Sequence, residues 1–301
     1  MKRFFCLALA LALALCLTCA AAETAVASFY PIWLFTRELT DGIDGVTVVN
    51  LAPPDTGCLH DYQLQTGDMK ALAAADVFLV NGAGMESYLS LVYGAFPELP
   101  VVDASAGVPL LSNAELAPIA LGDAETEANA HIWLDPANAG RMTVNLCEGL
   151  AQAWPQHREA LEANRDAFLA RLETLNETLR AGIDALPNRK IITFHEAFPY
   201  FARAYGLQVV AVVNKEPGEA LSPRALASLI DLVAELGVPP LFVEPQYDDL
   251  SARTLAAETG AKVYVLDPIV TGEEGDSGLG VYESRMLENL AVLREALGGE
   301  P

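Results

Sequence analysis

The chain has 301 residues, of which 18 are basic and 40 acidic, and its formal net charge is −22 at pH 7. Such a charge repels phosphate groups, so it excludes nucleic acid and anionic lipid as favourable partners, whereas it attracts cations. A chain of this length predicts two domains of ordinary size.

The first 22 residues have the pattern of an export signal. Lys2 and Arg3 precede an apolar stretch over 4–19, and three alanines follow at 20–22. This stretch is shorter than a membrane-spanning helix requires. Removal of residues 1–22 takes away two basic residues and no acid, which changes the formal charge from −22 to −24. We therefore predict an extracytoplasmic protein, periplasmic or at the cell surface, with either simple cleavage after Ala22 or lipid attachment at Cys19.

Eight short apolar runs predict β-strands, four in each half of the chain. They lie at 25–29, 46–51, 77–80, 101–103, 191–194, 209–213, 241–244 and 263–266. Hydrophobicity in these runs is continuous rather than alternating, so both faces of each strand are expected to be covered, as in parallel sheets flanked by helices. The predicted fold class is therefore α/β, with a parallel sheet in each half.

A long amphipathic pattern separates the two halves. Apolar residues recur at spacings of three, four or seven from Leu161 to Ile183, with charged residues between them. This is the pattern of a helix with one buried face. We predict a rigid linker helix over 154–186, which joins an N-terminal metal-binding lobe at 23–153 to a C-terminal metal-binding lobe at 187–301.

Only four histidines occur in the chain. His60 follows the second predicted strand, His131 precedes a predicted helix, and His195 and Asp267 each close a strand of the second half. Ligands of parallel sheets gather beyond the carboxyl ends of the strands, so these four groups are expected to converge between the lobes. Each alone is more typical of a structural residue, but together they indicate one shared metal site. His157 lies among charged residues, which indicates a solvated surface position.

Two cysteines, Cys58 and Cys147, lie outside the export signal. An oxidising compartment would allow a disulfide between them, which would tie the loop of His60 to the helix after His131. The alternatives are two separate thiols, or Cys58 as a soft metal ligand close to His60.

Eight short segments occur in the order found in a family of metal-binding proteins. They lie at 28–31, 60–62, 75–82, 131–136, 195–201, 205–207, 242–246 and 266–268. In this ordered set the chain resembles the zinc and manganese solute-binding proteins of bacterial ABC metal-uptake transporters (cluster A-I). The resemblance extends over essentially the whole mature chain.

The resemblance implies two pseudo-symmetric α/β lobes joined by one long helix, with a divalent metal ion bound between them and delivered to an ABC permease. The family's four metal ligands match His60, His131, His195 and Asp267. We expect a monomer without catalytic residues, associated with the membrane only through the permease or a lipid anchor. The single connecting helix predicts small tilts or local loop movement on release of the ion rather than wide hinge opening.

The third ligand position indicates zinc rather than manganese. The resemblance places His195 where the manganese branch usually has glutamate, and imidazole nitrogen suits Zn²⁺ better than Mn²⁺. Glu196 is displaced by one residue and is expected to point elsewhere. Many zinc members carry a histidine-rich loop before the second ligand, whereas the segment 123–127 supplies only acids, so Mn²⁺ or Fe²⁺ stays the alternative. Glu244 is expected to orient a liganding histidine.

Two other functions are compatible with such a fold. A zinc hydrolase would use Asp267 as a base and a water as the fourth ligand, but the chain has no His-Glu-x-x-His or Gly-x-Ser-x-Gly motif. A surface adhesin of the same fold would need no metal transfer.

Overall fold

The computed structural model describes residues 22–59, 62–112, 128–213, 222–273, 275 and 277–298. The strands in these residues are β1 (Glu23–Ala27), β2 (Val46–Asn50), β3 (Val77–Val80), β4 (Val101–Asp103), β5 (Lys190–Thr193), β6 (Gln208–Val212), β7 (Leu241–Val243) and β8 (Val263–Val265). Each lies within two residues of a predicted apolar run. The residues of β3 are all buried, as expected for a strand covered on both faces.

The two halves contain sheets of the same topology. The strand order is β2-β1-β3-β4 in the first sheet and β6-β5-β7-β8 in the second. All neighbouring strands are parallel. This repetition confirms the predicted α/β fold class with two pseudo-symmetric halves.

Helices connect and cover these strands. Those within the described residues are α1 (Tyr30–Thr40), α2 (Thr66–Ala73), α3 (Leu89–Ala95), α4 (Pro136–Ala153), α5 (Arg158–Asp184), α6 (Pro199–Tyr205), α7 (Pro223–Glu235), α8 (Leu250–Thr259) and α9 (Val281–Leu297). None of the described helices is long and apolar enough to cross a membrane.

Helix α5 is the predicted long helix between the halves. It has 27 residues, which corresponds to a length of about 40 Å. Its apolar stripe from Leu161 to Ile183 is buried, and it packs against α1 and α4 of the first half and α9 at the C-terminal end. Arg171 in α5 forms ion pairs with Glu38 of α1 and Glu283 of α9. The helix therefore holds elements from both ends of the chain together. The exact lobe boundaries stay a prediction.

A continuous apolar core extends through both halves. Trp133 joins the two halves: its indole Nε1 donates a hydrogen bond to Pro268 O at 2.8 Å, and its own carbonyl accepts one from Tyr282 OH at 2.7 Å. Trp133 and Tyr282 are both almost fully buried. These contacts fix the loop after His131 against the second half.

Candidate metal centre

His131 is buried at the contact between the halves. It precedes a short 3₁₀ turn that leads into α4, where the Asp135 carboxylate accepts a hydrogen bond from Ala137 N at 2.9 Å and caps the helix. Asn129 Oδ1 lies 3.0 Å from the backbone N of His131 and 3.3 Å from ring Nδ1. Because this oxygen is an acceptor, it favours the tautomer with hydrogen on Nδ1 and the lone pair on Nε2.

His195 is held by the neighbouring strand. It lies two residues after β5, and Glu244 directly follows β7, which pairs with β5. His195 Nδ1 is 2.9 Å from Glu244 Oε1. The other Glu244 oxygen accepts a hydrogen bond from Gln246 Nε2 at 2.6 Å. A buried carboxylate on Nδ1 fixes the ring orientation and leaves the Nε2 lone pair for a metal ion.

Glu196 approaches His195 from the other side of the ring. Its Oε1 lies 3.9 Å from His195 Nε2, which is too long for a hydrogen bond. The carboxylate therefore lies near the metal-binding side of His195, where the sequence had predicted that it would point away.

Cys58 is the third donor at this place. It lies in the loop after β2, and the preceding Gly57 has φ +81°, a left-handed conformation that favours glycine. Cys58 Sγ lies 3.4 Å from His131 Nε2. Burial, together with the nearby carboxylates of Glu244 and Glu196, raises the pKa of the Cys58 thiol well above its ordinary value.

Together these side chains form what we call the histidine–thiol cluster, composed of Cys58, His131 and His195. One ligand atom from each lies within 4.8 Å of the others. The ring centroids of the two histidines are 4.9 Å apart. The cluster is therefore the candidate metal site among the described residues.

The disulfide considered from the sequence is not present. Cys58 and Cys147 are both free thiols. Cys147 is buried in α4, in the apolar core, whereas Cys58 faces the two histidines. The two cysteines therefore lie in different environments.

Asp267 does not belong to the cluster that the described residues form. Its Oδ2 accepts a hydrogen bond from Arg285 at 2.8 Å, and its Oδ1 accepts one from Ile269 N at 2.7 Å. Both carboxylate oxygens are thus engaged within the second half. Arg285 lies in α9, far along the chain, and no sequence pattern around Asp267 indicated this ion pair.

Several predicted residues lie outside the described part of the chain. They are His60, the acidic segment 123–127 and the possible lipid site Cys19. The fourth histidine, His157, lies away from the cluster, and its Nε2 is 2.6 Å from Glu23 Oε2.

Comparisons with known proteins establish the family. A family profile described as "Zinc-uptake complex component A periplasmic" (ZnuA) matches residues 25–296. The chain belongs to this family. Membership confirms the resemblance to metal-uptake solute-binding proteins and places it with the zinc members.

Relatives and solved structures of this family cover nearly the whole chain. The High-affinity zinc uptake system protein ZnuA of Bacillus subtilis (strain 168) is 28% identical over 280 residues, 90% of this chain and 86% of that protein. The Zinc-binding lipoprotein AdcA of Streptococcus pneumoniae (strain ATCC BAA-255 / R6) is 26% identical over 91% of this chain, which spans only 56% of AdcA. A crystal structure of a ZnuA deletion mutant with zinc bound has 30% identity and a TM-score of 0.77, over 93% of this chain and 100% of that one.

Proposed function

We propose that this protein binds Zn²⁺ between its two halves outside the cytoplasm and delivers it to an ABC permease, without chemistry of its own. The observation that carries the proposal is the approach of His131 from the first half to His195 from the second, with ring centroids 4.9 Å apart. Family membership supports the same function, since the relatives named above are zinc-uptake and zinc-binding proteins.

The contacts on Nδ1 of both histidines favour a metal site over a structural role. Asn129 and Glu244 each present an acceptor to one ring. Such acceptors hold the tautomer in which Nε2 binds the ion, an arrangement that recurs around metal-binding histidines. Two imidazole donors favour Zn²⁺ over Mn²⁺, which prefers carboxylate and water oxygens.

We propose His60 as a further ligand on the basis of its place in the sequence, two residues after Cys58. Asp267 is the fourth ligand expected from the resemblance. Its carboxylate is bound by Arg285 and Ile269 N, so Asp267 can coordinate the ion only if the pair with Arg285 opens. A site closed by protein donors holds an ion and leaves no position for the attacking water of a hydrolase.

Metal analysis of the purified protein tests the proposal. We expect protein prepared without chelators to contain zinc, and competition titrations to show tighter binding of Zn²⁺ than of Mn²⁺. Replacement of both His131 and His195 by alanine should abolish zinc binding, whereas His157→Ala, which removes a histidine outside the cluster, should retain it. Retention of zinc by the double variant would overturn the proposal, and preferential manganese binding would overturn the choice of ion.

Delivery to a permease is tested in cells. Deletion of the gene should lower the uptake of radioactive zinc from zinc-poor medium, and the His157→Ala gene should restore uptake while the double-histidine variant should not. Unchanged uptake in the deletion strain, in the absence of any other zinc importer, would contradict the transport function.

A further inference from the structure

The histidine–thiol cluster contains a donor that the family resemblance did not supply. We propose that Cys58 provides a thiolate ligand to the ion held by His131 and His195, and that it thereby sets the preference of the site for zinc and other thiophilic ions over manganese. This inference rests on the proposed function, since it concerns the same ion.

The spacing of the donor atoms fits a tetrahedral ion. With Zn–S near 2.3 Å and Zn–N near 2.05 Å, a tetrahedral site separates sulfur from nitrogen by about 3.5 Å. Cys58 Sγ lies 3.4 Å from His131 Nε2. The sulfur thus already lies at the distance that shared coordination requires.

The loop that carries Cys58 contacts the second half. Gly272 N donates a hydrogen bond to Pro54 O at 2.9 Å. A side chain at Gly57 would meet Gln246 at 3.6 Å, so the loop packs beside the residue that binds Glu244. These two contacts with the second half place the loop of Cys58 next to Gln246, the partner of Glu244.

The alternative donor is engaged elsewhere. Arg285 and Ile269 N bind the two carboxylate oxygens of Asp267, and the backbone of Asp267 is fixed by Asn289: Asp267 N donates to Asn289 Oδ1 at 2.8 Å and Asn289 Nδ2 donates to Asp267 O at 2.7 Å. These four hydrogen bonds hold Asp267 in place, whereas Cys58 already adjoins both histidines.

Binding of the ion by Cys58 exchanges a proton for the metal ion and needs no redox partner. The Cys58 S–H bond breaks and its proton passes to solvent as the metal–sulfur bond forms. Thiolate is a soft ligand that favours Zn²⁺, Cd²⁺ and Cu⁺, whereas Mn²⁺ favours oxygen. A site that includes a cysteine therefore discriminates between Zn²⁺ and Mn²⁺ better than a site made of histidines and a carboxylate.

Cobalt substitution tests for the sulfur ligand. The purified, reduced protein is loaded with Co²⁺, and its absorption spectrum is recorded for the unmodified chain and for Cys58→Ser, Cys147→Ser and Asp267→Asn. We expect a sulfur-to-cobalt charge-transfer band in the near ultraviolet in the unmodified chain, Cys147→Ser and Asp267→Asn, and its loss in Cys58→Ser. Cys147→Ser is the matched control because it removes the other free thiol from the core.

Affinity gives a second readout. Loss of a direct ligand should weaken Zn²⁺ binding at least as much as loss of a group that orients a ligand, which costs roughly 10- to 100-fold. We expect Cys58→Ser to weaken zinc binding by at least that factor and Mn²⁺ binding much less, so that selectivity falls. Equal weakening of both ions would overturn the proposed role in selectivity.

X-ray absorption of the zinc-loaded, unmodified protein needs no variant and covers the case in which Cys58→Ser does not fold. A zinc–sulfur distance near 2.3 Å supports the proposal. Zinc bound with nitrogen and oxygen neighbours only would refute Cys58 as a ligand and leave the proposed function intact. Failure of the unmodified protein to bind zinc at all would overturn the proposed function and this inference with it.

Discussion

Glu244 should control zinc affinity although we do not propose it as a ligand. Its carboxylate is almost fully buried, with one oxygen 2.9 Å from His195 Nδ1 and the other 2.6 Å from Gln246 Nε2. In Glu244→Gln, His195 Nδ1 faces either a neutral amide oxygen or an NH₂ group instead of a carboxylate oxygen. The variant therefore loses the negative charge and the charge-assisted hydrogen bond to His195, while the shape of the side chain is kept.

The size of the effect follows from the bond that is lost. Hydrogen bonds to charged groups contribute about 1.5–3 kcal/mol, and about 1.4 kcal/mol corresponds to a factor of ten in affinity. Glu244→Gln should therefore weaken zinc binding by roughly 10- to 100-fold, the range found when partners of metal-binding histidines are removed. Competition with a chromophoric chelator measures this change, and circular dichroism checks that the fold is retained.

Glu196→Gln is the matched control for loss of charge. Glu196 Oε1 lies 3.9 Å from His195 Nε2 and makes no hydrogen bond to the ring. Its replacement removes the same charge close to the same histidine without disturbing Nδ1. If both variants weaken zinc binding equally, the loss of negative charge near the ion explains the change. Unchanged zinc affinity in Glu244→Gln would refute the argument that Glu244 sets the tautomer and orientation of His195.

Three further predictions concern stability. Burial raises the pKa of Glu86 from 4.5 to about 7, so the folded protein keeps a proton that the unfolded chain releases. The contribution of this carboxyl group to the free energy of unfolding is full below pH 4.5 and is lost as the pH rises through 7. Glu86→Gln should remove up to roughly 3 kcal/mol of this pH dependence, measured by urea unfolding. An added Cβ at Gly149 would lie 2.3 Å from Val102 Cγ2, whereas a Cβ at Gly94 would have no neighbour within 4 Å. Gly149→Ala should therefore lower the free energy of unfolding by about 1–3 kcal/mol, and Gly94→Ala should not. The midpoints of guanidinium unfolding measure both changes. Zinc at 100 times its Kd should stabilise the protein by about 2.7 kcal/mol, and a chelator should reverse the rise in Tm; the same Tm with and without zinc would contradict binding to the folded state.

The fold was predictable because local patterns determine it. Eight apolar runs of strand length separated by helical segments leave few arrangements other than parallel α/β sheets. The buried stripe of α5 likewise follows from helical periodicity alone. Strand ends differed by one or two residues, since burial does not mark where pairing stops. The order of strands within each sheet depends on tertiary contacts, which the sequence pattern does not contain.

The site was only partly predictable. His131 and His195 meet because one precedes helix α4 and the other follows strand β5. Their positions in the sequence indicated this approach. The positions of Cys58 and Asp267 depend on side-chain packing: Gly57 turns the loop so that Cys58 faces the histidines, and Arg285 of α9 holds Asp267. Neither effect has a local sequence signature. The hydrogen bond from Arg285, eighteen residues further along the chain, becomes visible only in three dimensions.

The contacts around the cluster predict how the ion is released. Asn129, which orients His131, also donates a hydrogen bond to Glu196 O at 2.8 Å, and its own carbonyl accepts one from Tyr200 OH at 2.9 Å. Wide separation of the halves would break these bonds, and each buried group left unpaired costs about 1–3 kcal/mol. Among the described residues, the backbone of the Cys58 loop is joined to the second half by the hydrogen bond from Gly272 N to Pro54 O. Movement of this loop breaks fewer of these bonds than separation of the halves, so it should open the site first. Crystals of zinc-loaded and zinc-depleted protein should differ mainly in this loop, and a rotation of the halves by tens of degrees would contradict the argument.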